Sequence, residues 1–430
     1  MPGFLQLLRE NRNYRYTWMG QVVSEVGDHF NNIAVFSLAV KYPDSGMVVT
    51  GVLLSRAIPA VLAGPLAGVL LDRWDRKRIM ITSDLVRALV ALGFIYTLQQ
   101  PSSQLLYVFS ALLMVASPFF TSGRASILPS ITTKEQLHTA NSLTQTTQWT
   151  TLTIGTMTGG LSVAHFGYEW AFILNAVSFL FSAWSISLLR LPGSAFRAAR
   201  KALTENDVVR PWHEYIEGLR YMKAHPLMLG IAVINFGWAS GGGAAQILFS
   251  LFGENVFHRG AAGIGILWGC AGVGLLAGGF LAHRIGPRLS FDGYKRTVMI
   301  CYLIHGAAYV VFSQMREFAM ALLFIAVSRA AVAVSSVLNF SQLLRYVSNE
   351  FRGRVFSTLE TVTWGVMMMS MLAAGVASRH YDARWIGTAS GVLSSLTAFY
   401  WLFLDSAGRL PEPAREGVEP EEVEVHEPTV

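Results

Sequence analysis

Charge is what this chain of 430 residues has least of: Asp, Glu, Lys and Arg together make up 14%, where a soluble globular domain carries about a quarter. Ionisable groups cost kilocalories each in hydrocarbon, so burial in lipid accounts for the shortage and a large soluble multidomain protein does not. Cysteine is nearly absent. Cys270 and Cys301 both fall in apolar runs, which leaves neither a disulfide framework nor a thiolate metal site. No Gly-rich Walker loop occurs, so ATP is not the expected energy source. His29, His165, His283, His305 and His380 are scattered singly, and no Ser/His/Asp group gathers in or beside the apolar runs. The reading is therefore not an enzyme, with no metal and no cofactor. The first apolar run is long and no small-residue cleavage site follows a short core, so it reads as a retained span and not as a signal peptide.

What the chain does have is apolar length. Hydrophobic residues make up 52% and the mean hydropathy is +0.42. Twelve runs bounded by charge, Pro or Gly stand out, at 16–40, 47–71, 79–98, 103–128, 139–164, 170–190, 227–251, 261–283, 294–314, 317–341, 353–378 and 385–405. About twenty apolar residues span a bilayer, and open sheet edges cannot lie in lipid, so each run predicts a transmembrane helix. Of the 33 Lys and Arg, 25 fall in segments on one side of the membrane if the N-terminus is cytoplasmic. Five fall on the other side and three (Arg56, Arg87 and Arg329) deep within spans, residues at the ends of runs, Arg124 among them, being counted with the adjoining loops. That asymmetry predicts both termini in the cytoplasm of a cell-membrane protein. It also explains the net charge of +6 without nucleic acid.

The halves echo one another. Gly68, Asp72, Arg73 and Arg76 after the second run return as Gly279, His283, Arg284 and Arg288 after the eighth, and Ser142/Gln145/Trp149 returns as Ser357/Glu360/Trp364. The predicted fold is all-α integral membrane: twelve transmembrane helices in two pseudo-symmetric six-helix bundles, 1–190 and 227–405. A basic linker (191–226) joins them, with an amphipathic helix from Trp212 lying on the membrane surface. A Pro-rich acidic tail (406–430) is read as disordered. Such internal repeats are the layout of transporters that rock two bundles about a midplane site. The seven glycines of the eighth run predict close helix packing, against Gly155 and Gly159 of the fifth.

The stretch Gly68-Val-Leu-Leu-Asp72-Arg73-Trp-Asp-Arg76-Lys77-Arg78 resembles the loop signature of the major facilitator superfamily, over about residues 10–405, departing from it at Asp75 where the family keeps Gly. Gly27-Asp28, Ser83-Asp84-x-x-Arg87-Ala88, Arg124-Ala-Ser-Ile-Leu-Pro129, Glu217-Gly-Leu-Arg-Tyr221 and Arg352-Gly-Arg-Val-Phe356 are similar to one branch of its drug:proton antiporters. That branch holds macrolide efflux pumps and the enterobactin exporter. The fifth run lacks the Pro of an antiporter motif and the fourth has no Arg in its outer half. The resemblance implies an exporter working by alternating access.

Candidate residues follow from polarity at bilayer depth. Gln21, Ser24/Glu25, Asp28 and Asn31/Asn32 recur at steps of three and four, so they share a helix face that must line protein or a wet cavity. Asp28 and Glu25 are read as coupling carboxylates, and Glu360 and Arg329 as a pair from adjacent spans. Gln21, Asn32, Gln145, Gln148, Trp149, Asn235, Trp238, Gln246 and Trp364 are read as lining a substrate cavity. Gly68, Asp72, Arg73, Arg76, Asp84, Arg87 and Arg284 are read as a cytoplasmic gate, Asp72 bonding a neighbouring helix terminus in one conformation only. The expected partners are a small amphipathic solute, membrane lipids and protons, for a monomer. A lysophospholipid-like lipid or a siderophore is the alternative cargo, and a non-transporting receptor or enzyme the alternative of another class.

Overall fold

The computed structural model describes residues 3–190 and 211–413. The tail beyond residue 413 and the linker from 191 to 210 lie outside the described residues. Among the described residues, six long helices make the first half: α2 (Arg12–Ala39), α3 (Ser45–Arg73), α4 (Arg76–Gly93), α6 (Ser103–Ile131), α7 (Lys134–Phe166) and α8 (Tyr168–Ser187). Two short ones, α1 (Phe4–Glu10) and α5 (Tyr96–Gln99), flank α2 and extend α4. The linker helix α9 (Pro211–Ala224) leads to the second six: α10 (Pro226–Leu251), α11 (Gly260–Ile285), α12 (Phe291–Gln314), α13 (Phe318–Tyr346), α14 (Asn349–Ala377) and α15 (Ala383–Ser406). The end of the bundles from which α9 departs is called here the linker end, and its opposite the far end.

Polar caps mark where helices leave the apolar zone, because first-turn N–H groups need acceptors there. Thr133 and Gln136 form a capping box on α7. Asp75 caps α4, its carboxylate accepting from Arg78 N at 3.0 Å with φ of −67°. The turn therefore needs no glycine, which is how this chain accommodates its departure from the family signature. On the outer helices large apolar side chains face outward, for example Trp170, Val177, Leu180 and Trp184 on α8. In water such a surface would be an aggregation patch; in lipid it is the expected one.

Pairwise packing repeats between the halves. α2 packs on α7 and α8, α3 on α6, and α4 on α6 and α8; α10, α11 and α12 repeat this with α14 and α15, α13, and α13 and α15. The halves meet through α7 on α11 and through α3 on α14, the same joint made twice. The two joints differ in extent. α7 follows α11 from Gly160 beside Gly265, past Met157 and Thr153 against Gly269, to Trp149 over Gly279. α14 touches α3 only near the far end, where Ser378 meets Gly46 and Thr50 meets Gly375. Toward the linker end, no atom outside their own turns lies within 4 Å of where a side chain would begin at Gly64, Gly68, Gly353 or Gly365. Ile58, Leu62, Leu66 and Val69 of α3 are exposed there. The two bundles are closed at the far end and parted at the linker end.

Two expectations change. Gly155 and Gly159 pack on His29 and Phe30 of α2, and it is Gly160 that meets α11; the helix pair was legible, the face was not. The linker helix packs part of its apolar face on α14, while Leu219 stays exposed. Met222 is buried, Tyr221 stacks on Phe351 of α14 with ring centroids 4.7 Å apart, and Glu217 pairs with Arg354 at 3.0 Å. A Cβ on Gly265 would overlap the α7 backbone, so Gly265→Leu should cost about 1–3 kcal/mol by overpacking, read as a lowered thermal midpoint in detergent. Gly64→Leu, into open space, should leave the midpoint in place; equal losses at both positions would mean that the α7–α11 crossing is not the tight joint.

Candidate functional site

Ten of the described helices are apolar enough to count as spans by composition, and α2 and α7 are not among them. These two build a polar centre in the first half. Their burden of Gln, Glu, Asp and Thr is tolerable because α6 and α8 cover it.

Glu25 is the hub. Its Oε1 lies 3.5 Å from Arg124 Nη1 of α6, the two side chains being 21% and 12% exposed. Its Oε2 accepts from Thr151 Oγ1 of α7 at 2.8 Å, and its Oε1 accepts from Gln21 Nε2 at 2.8 Å. Two turns toward the linker end, Trp18 Nε1 donates to Thr147 at 2.8 Å. A carboxylate so placed ties three helices together. Asp28, one turn toward the far end, lies in the field of Arg87 and Arg56. Its buried Oδ1 has no hydrogen-bond partner, and neither has Arg56 Nη1. The charge of Arg56 on α3 thus acts on Asp28 after that of Arg87, an influence its lone position in an apolar run did not disclose.

Asp84 and Arg87 form a buried pair within α4, the guanidinium held 4.6 Å from the Phe120 ring and 4.3 Å from that of Phe179. This pair lies inside the first bundle between α4, α6 and α8, so its assignment to the gate is corrected. The charge of Asp28 acts on Asp84, which joins the two carboxylates into one network.

The remaining candidates divide by location. Gln21 is buried, and Asn32 has a buried, unpartnered Oδ1. Gln145 is exposed, Gln148 is half-buried, and Trp149 lies over Gly279 between the halves. Asn235 and Trp238 of α10, Asn339 and Phe340 of α13, and Glu360 and Trp364 of α14 line a cavity of about 290 Å³. Gln246 is half-buried two turns beyond Trp238 and is not among the residues lining that cavity. Glu360 and Arg329 form no ion pair. Arg329 stands 11 residues inside the far end of α13 and Glu360 17 residues inside the far end of α14, a depth difference of about 9 Å at 1.5 Å per residue.

At the linker end Asp72 is 74% exposed and lies 3.8 Å from Arg76 of its own loop. No described helix terminus of the second half receives it, because α3 has parted from α14. Arg76 instead donates to Ser126 O at 2.9 Å, and Arg73 and Arg284 are exposed. A larger cavity of about 1280 Å³ opens beside Asp72 and Arg73, between α3, α4 and α6. Sequence reasoning missed Arg124, which it assigned to a loop; the fourth helix continues past it to Ile131.

The chain is 26% identical over 373 residues to "Putative bacilysin exporter BacE" of Bacillus subtilis (strain 168), covering 85% of this chain and 89% of that one. It is 26% identical over 367 residues to "Enterobactin exporter EntS" of Escherichia coli O1:K1 / APEC, with 82% of each chain covered. Among solved structures it resembles a bacterial homologue of the human lysosomal transporter Spinster, with a TM-score of 0.67, 15% identity and coverage of 95% and 100%. The nucleoside transporter NupG gives a TM-score of 0.66 at 11% identity, with coverage of 91% and 99%. The sequence model of the Major Facilitator Superfamily matches residues 18–292, well over half of the chain, and with twelve long helices among its described residues, in two repeated bundles, this multi-pass membrane protein belongs to that family of transporters.

Proposed function

We propose that this protein is a secondary-active exporter of amphipathic small molecules in the cell membrane, coupled to protons through Glu25 and Asp28. The observation that carries this reading is the cluster of Glu25, Asp28 and Arg124 buried at the centre of the first half, in a molecule whose bundles are parted at the linker end. Both termini and the linker face the cytoplasm in this reading, as the Lys and Arg asymmetry requires, so the conformation is inward-open. A solute enters between the bundles against Trp238, Trp364 and the Glu360 cavity on one side and Gln148 and Trp149 on the other. Protonation at Glu25 loosens its hold on Arg124 and Thr151, and the bundles rock about the α7–α11 joint. Two relatives named as exporters, of bacilysin and of enterobactin, support outward transport and leave a siderophore as the second cargo class. A receptor or enzyme role finds no such support.

The test is transport of a fluorescent lipophilic dye in proteoliposomes with an imposed pH gradient. Wild type should respond to the gradient by about tenfold in rate, Asp28→Asn should lose that response, and Glu360→Gln should keep it while binding the dye less well. A rate indifferent to the gradient in wild type would end the proton-coupled reading.

A further inference from the structure

The second half contains a buried cation that no described acidic group balances. Arg329 is 8% exposed, and no described Asp or Glu pairs with it. Three other buried cations are paired, Arg87 with Asp84, Lys295 with Asp405 at 2.5 Å and Arg124 with Glu25 at 3.5 Å, and Arg56, which forms no ion pair, at least lies in the field of Asp28. What Arg329 has is the face of Phe249, 5.3 Å from ring centroid to guanidinium carbon. A cation–π contact offsets only part of the cost of taking a guanidinium out of water. The charged or polar groups that act on it are His305 and Tyr309. His305 is held through Nδ1 by Ser328 Oγ at 2.7 Å and brings no negative charge.

Around this cation lie hydrogen-bonding groups with nothing bound to them. The buried Tyr309 hydroxyl and the buried Trp268 Nε1 have no partner. Trp268 stands edge-on to Phe249 with centroids 4.9 Å apart, so α10, α11, α12 and α13 each contribute one member. Buried polar groups of a native protein are ordinarily satisfied, and two unanswered donors, one on Tyr309 and one beside the Phe249 ring that Arg329 faces, together with a guanidinium that no carboxylate pairs, describe a missing acceptor. The place lies along the same two helices, α10 and α13, as the Glu360 cavity of the second half. Arg329 lies two turns along α13 from Ser336, which lines the cavity holding Glu360, and Phe249 lies three turns along α10 from Trp238, so each pair shares a helix face.

We propose that Arg329, with Tyr309 and Trp268, forms a carboxylate-binding subsite, and that the transported solute is an amphipathic acid whose apolar body lies along Trp238 in the Glu360 cavity. This rests on the transporter reading above for the meaning of its ligand, but the binding is separable from it. A guanidinium offers a carboxylate two parallel donors, the ring of Phe249 fixes its plane, and the tyrosine and tryptophan donors complete the acceptor set. The carboxylate supplies the charge that the fold withholds, so occupancy would stabilise the second bundle more than a neutral solute of the same shape.

Two probes of equal bulk decide the matter, N-dansyl-phenylalanine and N-dansyl-phenylalaninamide, titrated against the detergent-purified full chain and followed by energy transfer from tryptophan. Wild type should bind the acid at least tenfold more tightly than the amide. Arg329→Gln should erase the preference while leaving amide affinity within about twofold, Arg329→Lys should retain part of it, and Tyr309→Phe should reduce it about threefold. Equal binding of the two probes by wild type overturns the subsite. So does an undiminished preference in Arg329→Gln or, if that variant does not fold, in both Arg329→Lys and Tyr309→Phe; Arg329 would then only pin Phe249. Proteoliposome transport of the same probes separates the two readings. An Arg329-dependent preference without transport defeats the exporter and upholds the subsite, and transport of both probes alike does the reverse.

Discussion

Arg124→Gln should destabilise the protein by about 3 kcal/mol and abolish gradient-driven transport, whereas Glu25→Gln combined with it should recover most of the stability and none of the transport. The reasoning starts from burial. Glu25 and Arg124 are 21% and 12% exposed, so water screens the pair weakly. Removing one partner of a buried pair leaves the other charge unpaired, which costs about 3–5 kcal/mol; the residual exposure argues for the lower figure. Replacing both removes the isolated charge, and the amide introduced in place of the Glu25 carboxylate can still accept from Gln21 through its oxygen while its NH2 donates to the Thr151 hydroxyl oxygen. Transport is different, because it needs a group that changes charge. Thermal unfolding in detergent, run as a double-mutant cycle, gives the coupling. If the two single costs add to the double within about 0.5 kcal/mol, the pair is not coupled and Glu25 is not the hub described here.

The second large effect concerns closure. Ser45 of α3 accepts from Asn255, in the π-helical turn after α10, at 3.4 Å across the halves, and Asp44 pairs with Arg379 at 3.4 Å. In a background carrying Cys270→Ala and Cys301→Ala, the pair Ser45→Cys/Asn255→Cys should be joined rapidly by a short reducible crosslinker. Joining it holds the far ends together, so the bundles cannot open there and the rate should fall more than a hundredfold, returning on reduction. Gly68→Cys/Gly353→Cys at the linker end should resist the same reagent in the resting protein. Full transport by the crosslinked far-end protein would refute alternating access about this joint.

How much of this was readable beforehand depends on the kind of interaction. The spans were legible because hydrocarbon imposes a length and an apolar composition on each helix, and their ends because caps and Lys or Arg gather at the interface. The helix face of Gln21, Glu25 and Asp28 was legible from its spacing of three and four. The partners of that face were not. Arg124 lies far along the chain, on another helix, and looked like a loop charge; Arg56 looked like an anomaly. The Glu360–Arg329 pairing failed for a geometric reason, since adjacency of two helices in sequence says nothing of the depth at which their residues meet.

The sequence by itself determined that this is a twelve-helix membrane protein of repeated halves, its family, and which helices must hide polar groups. These properties are local or compositional, set by the solvent around each segment. Tertiary structure alone decided which charge answers which, which half keeps a cation unanswered, and which end stands open. Those are facts of distance between segments remote along the chain, and the field of a charge in a medium of low dielectric depends on where the chain has folded and not on the order of its residues.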